Sequence, residues 1–178
     1  AGPVGVGKTR LALEAASRLE RSGWRVLAAR TSGSGVGLPL AALAGLPVPT
    51  TADEPPAPSP AGPVQRALQQ LRQLARSTGR AVLLVDDAHL LDEASATVIH
   101  QVVAEQTLPL LATLRTDAFV PDAITRVWKD AGVRRIDLAT LSPADVDQLI
   151  TAALGGPVEW RTRYETRAAT GGNPLFLR

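Results

Sequence analysis

The sequence predicts an α/β fold, a mostly parallel sheet with helices on both faces. Three observations predict it. Ala81-Val82-Leu83-Leu84-Val85 and Leu108 to Leu114 are near-continuous apolar runs, the pattern of strands buried on both sides. Segments with apolar residues at helical spacing alternate with these runs along the chain. A glycine-rich loop, Gly2-Pro3-Val4-Gly5-Val6-Gly7-Lys8-Thr9, opens directly into the first of those helical segments.

Taken in order, the first helix is predicted from about Lys8 to Ser22, with Leu11, Ala15 and Leu19 flanked by Ala12 and Ala16, and Gly23 ends it. Val26-Leu27-Ala28-Ala29, within Trp24 to Arg30, reads as a buried strand. Gly33 to Gly37 reads as a loop, and Leu38 to Leu46 as a short helix with Pro39 in its first turn. Pro47 to Pro63 holds seven of the fourteen prolines and almost no apolar bulk, so it reads as an exposed linker or insertion, partly polyproline. Val64, Ala67, Leu68, Leu71, Leu74 and Ala75 line one helical face that Gly79 closes. After the strand at 81–85, Asp92 can cap a helix carrying Val98, Ile99, Val102 and Val103. Leu108 to Leu114 is the third strand, and Pro121 suits the first turn of a helix bearing Ile124, Val127 and Trp128. Val133 to Leu138 reads as a fourth strand. Ser142-Pro143-Ala144-Asp145 combines a cap, a proline and a first-turn acid, and starts a helix with Val146, Leu149, Ile150 and Ala153. A last helix, about Pro157 to Thr170, spaces Trp160, Tyr164 and Ala168 by four before Gly171-Gly172. Pro174-Leu175-Phe176-Leu177 reads as the opening of one more apolar helix, stopping at Arg178. Only Ala1 precedes Gly2, so the strand that should feed the loop is expected upstream and the chain reads as a fragment without its first strand. The domains expected are a core over 1–139, with 47–63 as linker or insertion, and the start of a helical lid subdomain over 140–178.

Composition narrows the function classes. At 178 residues and 45% hydrophobic, the chain can bury a full core. With no cysteine and two histidines, disulfides and thiolate metal sites are excluded and a zinc site is not expected; a reducing, cytoplasmic setting fits. Net charge is +2, and the arginines are spread through helices instead of clustered with aromatics, so no nucleic-acid surface is announced. No apolar run reaches the roughly 18 residues of a membrane span, and no leader pattern appears.

The loop carries the first chemistry. Only two of the nineteen basic residues are lysines, Lys8 and Lys129, and Lys8 stands inside a G-x-x-x-x-G-K-[ST] pattern. Glycines keep such a backbone thin enough for successive N–H groups to face phosphate oxygens, and the helix that follows adds its positive end. A compact ammonium reaches the β- and γ-phosphates where a planar guanidinium fits poorly. Thr9 would offer its hydroxyl to Mg²⁺. Gly2, Pro3, Val4, Gly5, Val6, Gly7, Lys8, Thr9 and Arg10 are therefore the predicted nucleotide-binding run, on what is read as a three-layer P-loop NTPase fold.

The second constellation is Leu83-Leu84-Val85-Asp86-Asp87. An apolar strand delivers an acid to the carboxyl edge of a parallel sheet, where ligands bind in open α/β folds. Asp86 is placed to hold Mg²⁺ through water, as the second metal partner beside Thr9, and Asp87 to orient an attacking water. As plain local structure, the same acids would cap the following turn.

The phosphate loop, Val85-Asp86-Asp87-Ala88-His89, Leu114-Arg115-Thr116 and Thr170-Gly171-Gly172-Asn173-Pro174-Leu175-Phe176-Leu177 together resemble one family, across nearly the whole chain. They resemble the ATPase module of large LuxR/MalT-type transcriptional regulators, in the signal-transducing (STAND) class of AAA-related P-loop ATPases. The resemblance implies that Arg115 senses the γ-phosphate and that Pro174, with Asn173 beside it, packs near the adenine. His89 falls in the family's usual position, but a histidine just past a strand end is more often a packing residue. The implied activity is slow phosphoryl transfer from ATP to water, with Lys8, Mg²⁺ and Arg115 neutralising charge and Asp87 placing the water. ATP against ADP would then bias activation or assembly, with neighbouring domains of the parent chain and further copies as partners and DNA contacted by another domain.

The rival expectation is a dedicated P-loop enzyme, a small-molecule kinase or a remodelling ATPase with sustained turnover. A kinase needs an acceptor pocket and an arginine-rich lid, and no arginine-rich segment is found. The guanine-reading Gln/Asn-Lys-x-Asp pattern is absent as well.

Overall fold

A computed structural model describes residues 1–31, 38–46 and 62–177. The predicted loop at Gly33 to Gly37, nearly all of the predicted linker from Pro47, and Arg178 lie outside the described residues. Among those described, the elements are α1 (Lys8–Arg21), β1 (Arg25–Ala29), α2 (Pro63–Thr78), β2 (Ala81–Val85), α3 (Glu93–Ala104), β3 (Leu110–Ala112), α4 (Asp122–Asp130), α5 (Pro143–Leu154) and α6 (Trp160–Thr170), with 3₁₀ turns at Ala41–Leu43, Ala88–Leu90 and Pro174–Phe176. They form two compact units, one of Thr9–Leu114 and Ala118–Arg135, the other of Ala1–Lys8, Arg115–Asp117 and Ile136–Arg178.

The larger unit is a three-layer α/β arrangement. β1, β2 and β3 form one parallel sheet in that order, with Leu27 opposite Leu83, Ala29 opposite Val85 and Val85 opposite Ala112. All five residues of β2 are buried, as a central parallel strand requires. Side chains alternate across the sheet, and the two faces pack differently. Leu27, Leu83 and Val85 join Leu68, Leu71 and Leu74 of α2, Val98, Ile99 and Val102 of α3, and Ile124 and Val127 of α4 in the main core. On the opposite face Leu84, with Val26 and Leu111, meets Ala12 and Ala16 of α1.

Helix α2 buries the predicted stripe, and Gly79 follows its last turn at φ 70. Helix α3 starts as predicted: Asp92 accepts hydrogen bonds from the Ser95 N–H at 2.9 Å and the Ser95 hydroxyl at 2.6 Å, and also from the Leu40 N–H at 3.1 Å. Burial alone would raise the Asp92 pKa, but these donors outweigh it and hold the carboxyl below its ordinary value.

Helix α1 occupies its predicted span, but its buried face is centred on Ala12 and Ala16 while Leu11 is 52% exposed. Leu38 to Leu46 is not a helix of regular length; only a 3₁₀ turn forms at Ala41–Leu43, entered through Leu40 at φ 64.

In the smaller unit, α5 begins with a full capping box: the Ser142 hydroxyl accepts from the Asp145 N–H, and Asp145 accepts from the Ser142 N–H. Val146 is the one fully buried apolar residue of α5, and Leu149 is 44% exposed. Helix α6 begins at Trp160, not Pro157, and Trp160 and Tyr164, spaced by four along it, are both exposed. It is tied to α5 through polar groups: Asp147 accepts both the Nε and Nη2 hydrogens of Arg167 and lies 3.6 Å from Arg163 Nη1. An ionic contact surface leaves the aromatic stripe outside. The apolar segment Pro174 to Leu177 opens as a 3₁₀ turn at Pro174–Phe176, capped by Asn173.

The predicted fourth strand over Val133 to Leu138 is absent from the structure. Val133 packs on the core of the larger unit and the Arg135 guanidinium stacks 5.5 Å over Trp128, whereas Ile136 onward belongs to the smaller unit. There the Ala1 amino group donates to the Ile136 carbonyl at 2.6 Å and the Leu138 N–H donates to the Ala1 carbonyl at 2.7 Å. Gly2 bridges in parallel to Arg115. A strand needs regular pairing along its length, and among the described residues these contacts do not build one.

Candidate functional site

In the larger unit the carboxyl end of β2 gathers four side chains. Asp86 Oδ1 accepts from the Thr9 hydroxyl at 2.9 Å and from the Thr113 hydroxyl at 2.5 Å. The Asp86 carbonyl accepts from the Thr31 hydroxyl at 2.7 Å. Thr113 also accepts from the Asp87 N–H at 2.8 Å, so its single hydroxyl proton is committed to Asp86. Both bonded hydroxyls meet the same oxygen, and among the described residues no hydrogen bond reaches Oδ2. Thr9 is exposed and its proton is turned to Asp86, leaving its oxygen lone pairs for a further partner.

Asp87 stands at φ 53, ψ 51, the left-handed region, which aspartate tolerates better than most residues. Its position is set by its neighbours: Thr113 holds its N–H, and the Ala88 N–H donates to the Thr113 carbonyl at 2.7 Å. His89 Nδ1 lies 3.9 Å from Asp87 Oδ1, and the His89 side chain is almost wholly buried.

Thr113 is the residue that reading the sequence missed. It is 5% exposed and orients both acids at once. The available signal was a hydroxyl interrupting the apolar run Leu110 to Leu114, in the strand beside Asp86. Thr113→Val keeps the shape but leaves the Asp87 N–H without an acceptor, and a loss of about 1–3 kcal/mol is expected on urea unfolding. A variant as stable as the parent would show that this hydroxyl holds neither acid.

In the smaller unit the Gly2–Lys8 loop turns through Gly5 at φ 83 and Gly7 at φ 91, a backbone that only glycine adopts without strain. Lys8 is a largely buried residue, and its ammonium donates to the Pro3 carbonyl at 2.7 Å. Val6 is buried, and Pro3 and Val4 are exposed. Among the described residues, the N–H groups of Val4, Gly5, Val6 and Gly7 donate to no protein acceptor. Helix α1, which starts at Lys8, has no acid in its first turn to offset its positive end. Arg10, in that turn, is exposed and belongs to the larger unit.

Arg115 bonds Asp117 in bidentate fashion, from Nε at 3.1 Å and from Nη2 at 2.8 Å. These bonds from Arg115, with a smaller contribution from the Lys8 charge, bring the Asp117 pKa down to about 2. Pro174 opens its 3₁₀ turn between Asn173 and Leu175, and both of these neighbours crowd the space beside Gly5.

These residues suit an anionic ligand and a hard cation. Unpaired amides, the Lys8 ammonium and an unopposed helix start fit a polyphosphate. Among the described residues no cluster of three or more histidines or acids could cage a metal by itself. One carboxylate with one hydroxyl is the donor set of Mg²⁺, which keeps waters and takes substrate oxygens.

The parallel sheet, the helices on both its faces and the glycine loop at the start of α1 define a P-loop-type α/β nucleotide-binding protein. The AAA-domain family matches the chain over residues 1–116, and the chain belongs to that family, a nucleotide-binding ATPase domain. No curated protein matches the chain. No helix among the described residues is long and apolar enough to cross a membrane.

Proposed function

We propose that this AAA domain is the ATP-binding, slowly hydrolysing switch module of a cytoplasmic multidomain transcriptional regulator of the LuxR/MalT type, in the STAND class, with nucleotide state controlling activation or assembly. The observation that supports this reading best is the hydrogen bond between Thr9 and Asp86, which links the loop hydroxyl to the strand-end acid at 2.9 Å. On this reading Gly2 to Arg10 and Pro174 hold ATP, and Thr9 and Asp86 hold Mg²⁺. The metal, when bound, supplies charge neutralisation on the phosphates. Lys8 and Arg115 offset the charge that develops on the terminal phosphate, and Asp87 orients the attacking water. The left-handed conformation of Asp87 supports that role, because strained backbone at such a position is held by neighbours that aim the side chain.

The regulator assignment draws its support from the combination of Asp86-Asp87-Ala88-His89 with Gly171-Gly172-Asn173-Pro174. It places this domain among neighbours in a longer chain, with self-association governed by nucleotide and DNA bound elsewhere. Titration calorimetry of the chain with ATP, ADP and GTP, each with Mg²⁺, is paired with light scattering on the same samples. Preferential adenine-nucleotide binding, turnover slower than about 1 s⁻¹ and a larger assembly with ATP than with ADP are expected. Rapid acceptor-dependent ADP formation, or one oligomeric state under every condition, would refute the switch.

A further inference from the structure

The side chain of Asn173 is far from the phosphate loop in sequence and touches its backbone. Its Nδ2 donates to the Val4 carbonyl at 3.0 Å, across 169 residues, and its Oδ1 accepts from the Leu175 N–H at 3.0 Å. The amide can be oriented in only one way. A carbonyl must face an N–H donor, so the Val4 oxygen takes the NH₂ end and the Leu175 N–H takes the oxygen end. Gly5 makes room for this. A Cβ at Gly5 would collide with Asn173 Oδ1, and would come within 2.8 Å of Leu175 Cβ and 2.9 Å of Asn173 Nδ2. The backbone of Asn173 is itself anchored, its N–H donating to the Thr170 carbonyl at 3.0 Å and its carbonyl accepting from the Phe176 N–H at 3.1 Å.

Peptide planarity gives the contact a consequence. In a trans peptide the C=O and the next N–H point in opposite directions. Holding the Val4 carbonyl on Asn173 therefore turns the Gly5 N–H away from Asn173, and that N–H has no acceptor among the described residues. Without the amide, the Val4–Gly5 peptide is free to rotate as a unit, because Gly5 tolerates either sign of φ.

We propose that Asn173 is a positioning residue for the phosphate loop: by gripping the Val4 carbonyl it presets the Gly5 N–H to donate to a bound polyphosphate. The inference rests on the reading that this loop binds nucleotide. It gives Asn173 a task separate from the base-side role implied for Pro174, and it makes the C-terminal turn part of what shapes the loop.

Asn173→Ser and Asn173→Ala are measured beside Lys8→Ala. Serine retains an oxygen that can cap the Leu175 N–H but is too short to reach Val4, so the turn survives while the loop bond is lost. Binding is read with ATP and, separately, with inorganic tripolyphosphate, and the glycine amides of the nucleotide-free chain are followed by ¹⁵N-selective NMR. The expected result is an affinity loss of about tenfold, the equivalent of one hydrogen bond of ordinary strength. It is expected for both probes and in both variants, with the Gly5 resonance shifted and broadened and the melting temperature of the serine variant unchanged. Loss confined to ATP with tripolyphosphate unaffected would assign Asn173 to the base and overturn the proposal. Unchanged binding by Asn173→Ser, alongside lost binding by Lys8→Ala, would overturn this inference alone; unchanged binding by Lys8→Ala would overturn the nucleotide reading together with it.

Discussion

Lys8→Ala is expected to lower ATP affinity at least a hundredfold while leaving the chain folded. In the structure Lys8 is 9% exposed and its ammonium donates to the Pro3 carbonyl at 2.7 Å, so one neutral acceptor occupies a group able to serve three. A β,γ-phosphate pair replaces that carbonyl with charged oxygens in a partly desolvated place, where losing one member of an ion pair costs about 3–5 kcal/mol. That energy corresponds to at least a hundredfold in Kd. On the folding side the deletion removes one side-chain hydrogen bond, worth about 1 kcal/mol. Calorimetric titration with ATP and a urea melt separate the two effects. Parental affinity in the variant would place the nucleotide elsewhere.

Asp86→Asn is expected to abolish the dependence of ATP binding on Mg²⁺ with little change in stability. The asparagine carbonyl oxygen can still accept from Thr9 and Thr113, so the local hydrogen bonds at 2.9 and 2.5 Å survive the exchange. What disappears is the negative charge, and a hard divalent cation needs it. A group that holds a metal through water is an outer-shell partner, and such partners typically carry about 10–100-fold in affinity. The measurement is ATP Kd with and without Mg²⁺ in both proteins. A Mg²⁺ enhancement of the same size in the variant would remove Asp86 from the metal site.

The elements that could be read from the sequence are those where one signal dominates. The five apolar residues of β2 permit no reading but a covered strand, and Asp92 and Ser142 announce their helices through hydrogen bonds made within one turn. The glycine spacing from Gly2 to Thr9 and the acid after β2 stand out in the same way, and Thr9 meets Asp86 at 2.9 Å; their part in nucleotide binding is the proposed reading. Where two signals competed, the reading failed. Helix α1 has leucines and alanines on adjacent faces, and its contact with Leu84 uses the small residues while Leu11 stays outside. Trp160 and Tyr164 have the spacing of a core stripe, yet the helix is held by Asp147 with Arg163 and Arg167, contacts that hydropathy does not see. Val133 to Leu138 has strand composition, but among the described residues it forms no strand. Thr113 escaped because a threonine in a strand is ordinary, and its importance lies in a bond to a residue 27 positions away.

The Arg115–Asp117 pair has its own consequence for how such a domain is loaded. A guanidinium already engaged by a carboxylate does not wait as an open cation; on the proposed reading, an incoming terminal phosphate competes with Asp117 for it. The net gain is then the difference between two anions, not the full attraction of one. A diphosphate, which on that reading would end short of the arginine, would forgo only that difference. On the same reading, discrimination between the charged and spent forms of the nucleotide would be kept to a modest ratio, and the domain would return to rest without losing the whole of an ion pair.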